Sequence, residues 1–291
     1  MNASGRRHPW PSLAFMLVLT TGALLRDPTP AAAQTTDAAA MRDVAYGSHP
    51  QQVFDVFLPA DPRDAPTIFY VHGGGWQHGD KATGIGTKAA RWTAAGAIVI
   101  STNYRLVPDA DPMEQARDVA RSVAKAQALV AERGGDPTSF VLMGHSAGAH
   151  LVALLAASPS MARESGATPW RASVLLDSGA VDVVATMHKP LDKPLFERAF
   201  GHDAAFWRAA SPLHRLQAKT APILAVCAQE RPDSCPNNRT FVDRARGLGG
   251  HAELLPKPLS HMEINRDLGE DNDYTREVEA FLRGVGVPLR G

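Results

Sequence analysis

Cysteine is scarce in this chain: 291 residues contain two, Cys227 and Cys235. Two thiols without a nearby third and fourth ligand do not make a zinc site, so no metal is expected. Charge of one sign is absent as well. Thirty basic residues balance thirty acidic ones, and no broad field exists to attract nucleic acid or an anionic membrane. A membrane span needs roughly 20 apolar residues. The run near the N-terminus, Leu13 to Leu25, has 13 positions, three of them Thr or Gly. No internal repeat or low-complexity block follows it. These absences leave a single globular domain acting on a small neutral molecule.

What is present begins with that short run. Arg6 and Arg7 precede it, and Ala31-Ala32-Ala33 follow it. A basic start, a short apolar stretch and small residues describe a signal peptide over residues 1–33, cut ahead of Gln34. Export to the periplasm or the extracellular space is therefore expected, with no stable membrane insertion after cleavage. The remaining 258 residues carry a net charge of about −2. In an oxidising compartment Cys227 and Cys235, eight positions apart, are a disulfide candidate.

Residues 34–41 are small and polar and read as a flexible lead-in. From residue 42 to 291, strand-like and helix-like segments alternate. Strands are predicted at Val53–Leu58, Thr67–His72, Ala97–Asn103, Ser139–Met143, Ala172–Leu176, Pro222–Ala228 and Ala252–Leu255. Helices are predicted at Met113–Glu132, Ala147–Ala157, Thr240–Leu248 and Tyr274–Arg283. This alternation implies an α/β domain with a mostly parallel sheet covered on both faces. Residues 178–215 break the rhythm and hold Met187, Phe196, Phe200, Phe206 and Trp207 among polar residues. They read equally well as a small cap above the strand ends or as surface helices packed on the sheet.

Gly144-His145-Ser146-Ala147-Gly148 fits the G-x-S-x-G turn and lies between a predicted strand and a predicted helix, the setting that turn requires. Ser146 is the candidate nucleophile, and the N–H of Ala147, at the helix start, is a candidate oxyanion donor. A second signal, His72-Gly73-Gly74-Gly75-Trp76, follows an apolar strand. Consecutive glycines leave backbone N–H groups free to face a ligand, which makes Gly74 and Gly75 the other oxyanion candidates. The base must come late in the chain, and His261 stands in a loop after the last predicted strands. His145 and His150, beside the elbow, read as packing or hydrogen-bonding residues, and His72 as a prop for its own loop. The acid is expected after the penultimate strand. Asp233 is the first choice, 87 residues after Ser146 and 28 before His261, with Glu230 the alternative. A Cys227–Cys235 bridge would close the loop carrying both, a clamp worth on the order of 2–3 kcal/mol by loop-closure entropy.

With these residues in view, His72 to Gly75, Asn103-Tyr104-Arg105-Leu106 and Gly144 to His150 resemble the esterase branch of the α/β hydrolases related to hormone-sensitive lipase. More closely they are similar to feruloyl-esterase-like carboxylesterases and kynurenine-formamidase-like enzymes, over roughly residues 42–285. His145 stands where the hormone-sensitive-lipase branch has Asp, and the usual His-Gly-x-x-Asp acid loop is rewritten around two cysteines. The resemblance implies an α/β-hydrolase fold and hydrolysis of short-chain carboxylic esters through an acyl-enzyme on Ser146, without a cofactor. Its alternatives are feruloyl-ester or arylformamide hydrolysis by the same groups. A catalytically inactive binding module on the same fold is the rival from another class, and the presence of nucleophile, base and both oxyanion elements argues against it.

Overall fold

The computed structural model describes residues 40–189 and 193–290. The expected signal peptide and residues 34–39 of the lead-in lie outside the described residues. Eight strands run in chain order as β1 Met41–Ala45, β2 Val53–Phe57, β3 Thr67–Val71, β4 Ile98–Thr102, β5 Phe140–His145, β6 Ala172–Leu176, β7 Ile223–Ala228 and β8 Ala252–Lys257. They form one sheet in the order β1-β2-β4-β3-β5-β6-β7-β8. β2 is antiparallel to both its neighbours, and from β4 to β8 every pairing is parallel. The mostly parallel α/β sheet expected from the alternation is what the chain forms. β3, β4 and β6 are buried at every position, as strands covered on both faces must be.

The helices in chain order are α1 Gly86–Ala94, α2 Pro112–Glu132, α3 Ala147–Ala157, α4 Pro159–Glu164, α5 Val183–Met187, α6 Lys193–Phe200, α7 Ala204–Ala209, α8 Pro212–Arg215, α9 Ser234–Gly247, α10 His261–Arg266 and α11 Asp273–Gly284. Two apolar clusters divide them. α2, α3 and α9 cover one face of the sheet, and α1 and α11 cover the other. α2 begins with a capping box, the Asp111 carboxylate accepting from Glu114 N–H while Glu114 reaches back, and with Pro112 at its first position. α3 is buried all round because it packs on the central strands β5 and β6 and is flanked by α2, α4 and α8. α9 starts six residues before the predicted Thr240, at Ser234. Pro236 falls in its first turn, where a missing N–H costs nothing.

The strand order creates the site. After β3 the chain moves outward to β4, then returns to place β5 on the other side of β3. At such a reversal the loops leaving the two strands diverge and leave a crevice above the carboxyl ends. Val71 pairs with Gly144 and His145 with Leu176, so β3, β5 and β6 end at one level.

Helix α10 is short and its carbonyls need donors from elsewhere. Lys88 of α1, fully buried, donates from Nζ to the Asn265 carbonyl and, at 2.9 Å, to that of Gly84. Tyr274 Oη donates to Ile264 O at 3.0 Å. Burial pushes the Lys88 ammonium down from 10.5 to about 7, against the pull of Asp267 and Glu270. Between those two values the unfolded chain binds more protons than the native one, so this group's contribution makes stability rise with pH across that window. Below about 7 Lys88 is charged in both states and its cost is constant. Urea midpoints measured at pH 7, 8.5 and 10 are therefore expected to rise less in Lys88→Met than in the wild type. Parallel curves for the two proteins would contradict the burial cost assigned to Lys88.

Candidate active site

Ser146 sits at the turn between β5 and α3 with φ 55° and ψ −117°, a strained conformation for a residue with a side chain. Both glycines of the motif are required by close approach. A Cβ on Gly144 would stand 2.4 Å from Gly148 O, and one on Gly148 would stand 2.2 Å from Val71 O. Ala147 occupies the first position of α3, where a backbone N–H has no partner within the helix. The glycine loop after β3 lies against this elbow, since a Cβ on Gly73 would be 3.0 Å from that of Ser146. Gly74 and Gly75 follow directly, with Gly74 O accepting from Gln77 and His78. Tyr104, from the Asn-Tyr-Arg-Leu segment, holds the loop by donating from Oη to His72 O at 3.0 Å and stacking on the His72 ring.

His261 is the first residue of α10, whose N-cap Ser260 forms a capping box with Glu263. Its Nε2 is 2.9 Å from Ser146 Oγ, so the structure brings those two sequence candidates together. The carboxylate on the other side of the ring is neither Asp233 nor Glu230. His261 Nδ1 donates to Asp177 Oδ2 at 2.5 Å. Asp177 is the residue after β6, as Ser146 is the residue after β5, and both have φ near 55°. Their backbone N–H groups extend the ladders one step, Ser146 to Leu176 O and Asp177 to Val226 O, each at 2.9 Å.

Asp233 is displaced from the ring by the early start of α9. It precedes that helix, has 61% of its side chain exposed and pairs with Lys189 at 2.8 Å. Glu230 is exposed on the same loop. What the loop does carry to the site is a set of donors for Asp177. Ala228 N donates to Oδ1 at 2.9 Å, Ser234 Oγ donates to the same oxygen, and Arg231 Nη1 donates to Oδ2 at 2.7 Å. Cys227 and Cys235 are bridged across this loop. Burial opposes charge on Asp177, and the bonds from His261, Arg231, Ser234 and Ala228 overcome it, holding the carboxyl far below the usual carboxylate range. A signal for Asp177 did exist in Leu176-Asp177-Ser178-Gly179, a carboxylate and a glycine directly after a buried apolar strand.

Two neutral histidines brace the site. Burial, and then the proximity of His261, push His145 down to about 3; its Nε2–H donates to His261 O at 2.9 Å and its ring lies 4.5 Å from that of His261. Burial pushes His150 down to about 4, and it donates to Ala210 O at 2.8 Å while accepting from Trp76 Nε1 at 3.1 Å. Trp76 also packs against Phe196 and Phe200 of α6, with ring centroids at 5.6 and 4.8 Å. Part of the segment between β6 and β7 thus covers the glycine loop. A cavity of about 750 Å³ lies at the opposite end of the strands, around Pro137, Trp170, Arg171 and Pro222.

Residues 54–235 match the family model BD-FAE. The chain belongs to that family. It is 28% identical over 232 residues to Esterase LipC of Mycobacterium tuberculosis, covering 73% of this chain and 58% of that protein. It therefore spans about three-fifths of the length of that relative. It is 28% identical over 245 residues to kynurenine formamidase of Salmo salar, covering 81% and 79%. Apo esterase 2 of Thermogutta terrifontis superposes with a TM-score of 0.71 at 21% identity, over 87% of this chain and 97% of that one. The fold of this BD-FAE member is the α/β-hydrolase fold, as the resemblance implied.

A hydroxyl bonded to an imidazole that a carboxylate orients can lose its proton as it attacks an electrophile. Labelling of Ser146 by a fluorophosphonate reads that property without a substrate. Asp177→Asn is expected to slow labelling about 10³- to 10⁴-fold, with Asp233→Asn and Glu230→Gln within about twofold because exposed charges contribute little. Slow labelling of Asp233→Asn together with normal labelling of Asp177→Asn would overturn the assignment.

Proposed function

We propose that this protein is an exported serine esterase that hydrolyses carboxylic esters of short acyl chains. The chain of bonds from Ser146 Oγ through His261 to Asp177, at 2.9 and 2.5 Å, carries the reading. In this mechanism Ser146 attacks the acyl carbon while His261 Nε2 takes its proton. Asp177 keeps the other ring N–H in place and stabilises the imidazolium. The N–H groups of Ala147, Gly74 and Gly75 receive the oxyanion; loss of one such donor typically costs about 2.7–4 kcal/mol. His261 then passes the proton to the leaving alcohol, and water resolves the acyl-enzyme by the same route. No step requires a cofactor.

Short acyl chains are favoured by the crowding over the glycine loop. Leu195 of α6 would come within 2.7 Å of a Cβ on Gly75, and Phe196 and Phe200 fill the space above Trp76. A second reading, hydrolysis of N-formyl amides, draws support from the extent of the match to the Salmo salar formamidase. Export rests on Arg6, Arg7 and the apolar run that follows, and the Cys227–Cys235 bridge suits an oxidising compartment. Among the described residues no helix is long and apolar enough to cross a membrane.

Purified protein should hydrolyse nitrophenyl acetate and butyrate faster than the decanoate, with methyl ferulate and an N-formyl anilide run alongside. Ser146→Ala, still folded by circular dichroism, should lose all of these activities. Formanilide turnover exceeding that of every ester would replace the first reading by the second, and retained activity in the folded Ser146→Ala protein would remove both.

A further inference from the structure

Arg231 is a charged group in contact with the site that the mechanism above does not use. Its Nη1 donates to Asp177 Oδ2 at 2.7 Å and lies 2.9 Å from His261 Nδ1. Oδ2 is therefore shared by a permanent cation and by the imidazole that becomes a cation during turnover. The other oxygen is taken by Ala228 N and Ser234 Oγ, so the carboxylate has no capacity to spare. The placement of Arg231 is built rather than incidental. Its backbone N–H donates to Ala228 O and its carbonyl accepts from Ser234 N within the loop closed by the disulfide. Gly179 leaves room for the guanidinium, since a Cβ there would stand 3.0 Å from Nη2.

We infer that Arg231 is a positioning residue that acts through Asp177. It fixes the carboxylate toward His261, and its guanidinium, 2.9 Å from Nδ1, sets a positive charge against the ring. The inference rests on the proposed roles of Ser146, His261 and Asp177. The two effects pull in different directions. Orientation favours turnover, whereas a cation against the ring disfavours the imidazolium formed on the way. Arg231 therefore trades some imidazolium stabilisation for a fixed carboxylate. Asp177 is on the Nδ1 side, and neutral His145 of β5 lies against the ring. Lys88 of α1 acts on His145 from behind, and Glu263, on the base's own helix, is engaged by Ser260 and Arg266. Lys189 and Asp233 pair with one another across the cavity of about 350 Å³ that Arg231 also lines.

The test is the pH profile of kcat/KM for a soluble ester, measured for the wild type, Arg231→Gln and Arg231→Lys. Loss of the charge in Arg231→Gln should move the acid limb up by about one pH unit, the scale of a single charge at this range. Arg231→Lys keeps a charge but loses the planar fork, so its acid limb should stay close to that of the wild type while kcat falls about fivefold or more. A purely structural ion pair would lower activity or stability in both variants without moving the limb. An acid limb in Arg231→Gln superimposable on the wild type overturns the inference. Should that variant not accumulate as folded protein, an unchanged kcat in folded Arg231→Lys overturns it instead. A wild type without hydrolytic activity would remove the proposed function itself, an outcome distinct from both.

Discussion

The C-terminal half of this protein is organised around one buried charge. Asp177 has no exposed side-chain surface, and an ionised carboxylate in such a place is tolerable only when its lone pairs are all taken. The donors come from separate pieces of chain: the end of β7, the loop after it, the first residue of α9 and the first residue of α10. Each of those pieces is thereby fixed relative to β6. Loss of a single donor would leave part of a buried charge unpaired, which is why a disulfide across the donor loop and a lysine under α10 contribute to the same end. Lys88 and Tyr274 hold the carbonyl end of α10 while Asp177 holds its first side chain.

Much of this was legible in the residues. The parallel strands declared themselves as short apolar runs, and α2 as an amphipathic stretch between Pro112 and the Gly134-Gly135 stop. Ser146 was identified by a local pattern whose glycines have a local steric cause. His261 followed from order along the chain. Asp177 did not, because what makes it the ring's partner is tertiary: the pairing of Leu176 with His145 places residues 146 and 177 side by side, and a register of that kind leaves no mark on either segment alone. Asp233 suits the role only if the loop after β7 is open chain. In fact α9 begins at Ser234 and turns Asp233 toward Lys189 and solvent. The loop does belong to the site, and the residue type that matters in it is a cation.

The histidines show how little of a residue's chemistry its identity reveals. His145 and His150 flank the elbow in sequence, yet both are neutral struts. One fastens the backbone of the residue bearing the base, and the other ties the glycine loop's Trp76 to the end of α7 at Ala210. Burial does this by removing the charged form, after which each ring has one donor and one acceptor to place. The same imidazole left partly exposed, set against a carboxylate and bonded to Ser146 Oγ, is the one proposed as the base.

The position of the acid at the end of β6 separates two tasks that one loop would otherwise have to perform. The carboxylate is mounted on a central strand, where the sheet's hydrogen bonds determine where it stands. The loop beyond β7 is left to surround that carboxylate from outside, and a disulfide closes it. Arg231 and Ser234 are the side chains through which the stretch after β7 holds the carboxylate, so the electrostatics behind the ring are set off the strands that carry Ser146 and Asp177. In this architecture the sheet is the frame for Ser146 and Asp177, and the loop beyond β7 is the shell of donors behind them.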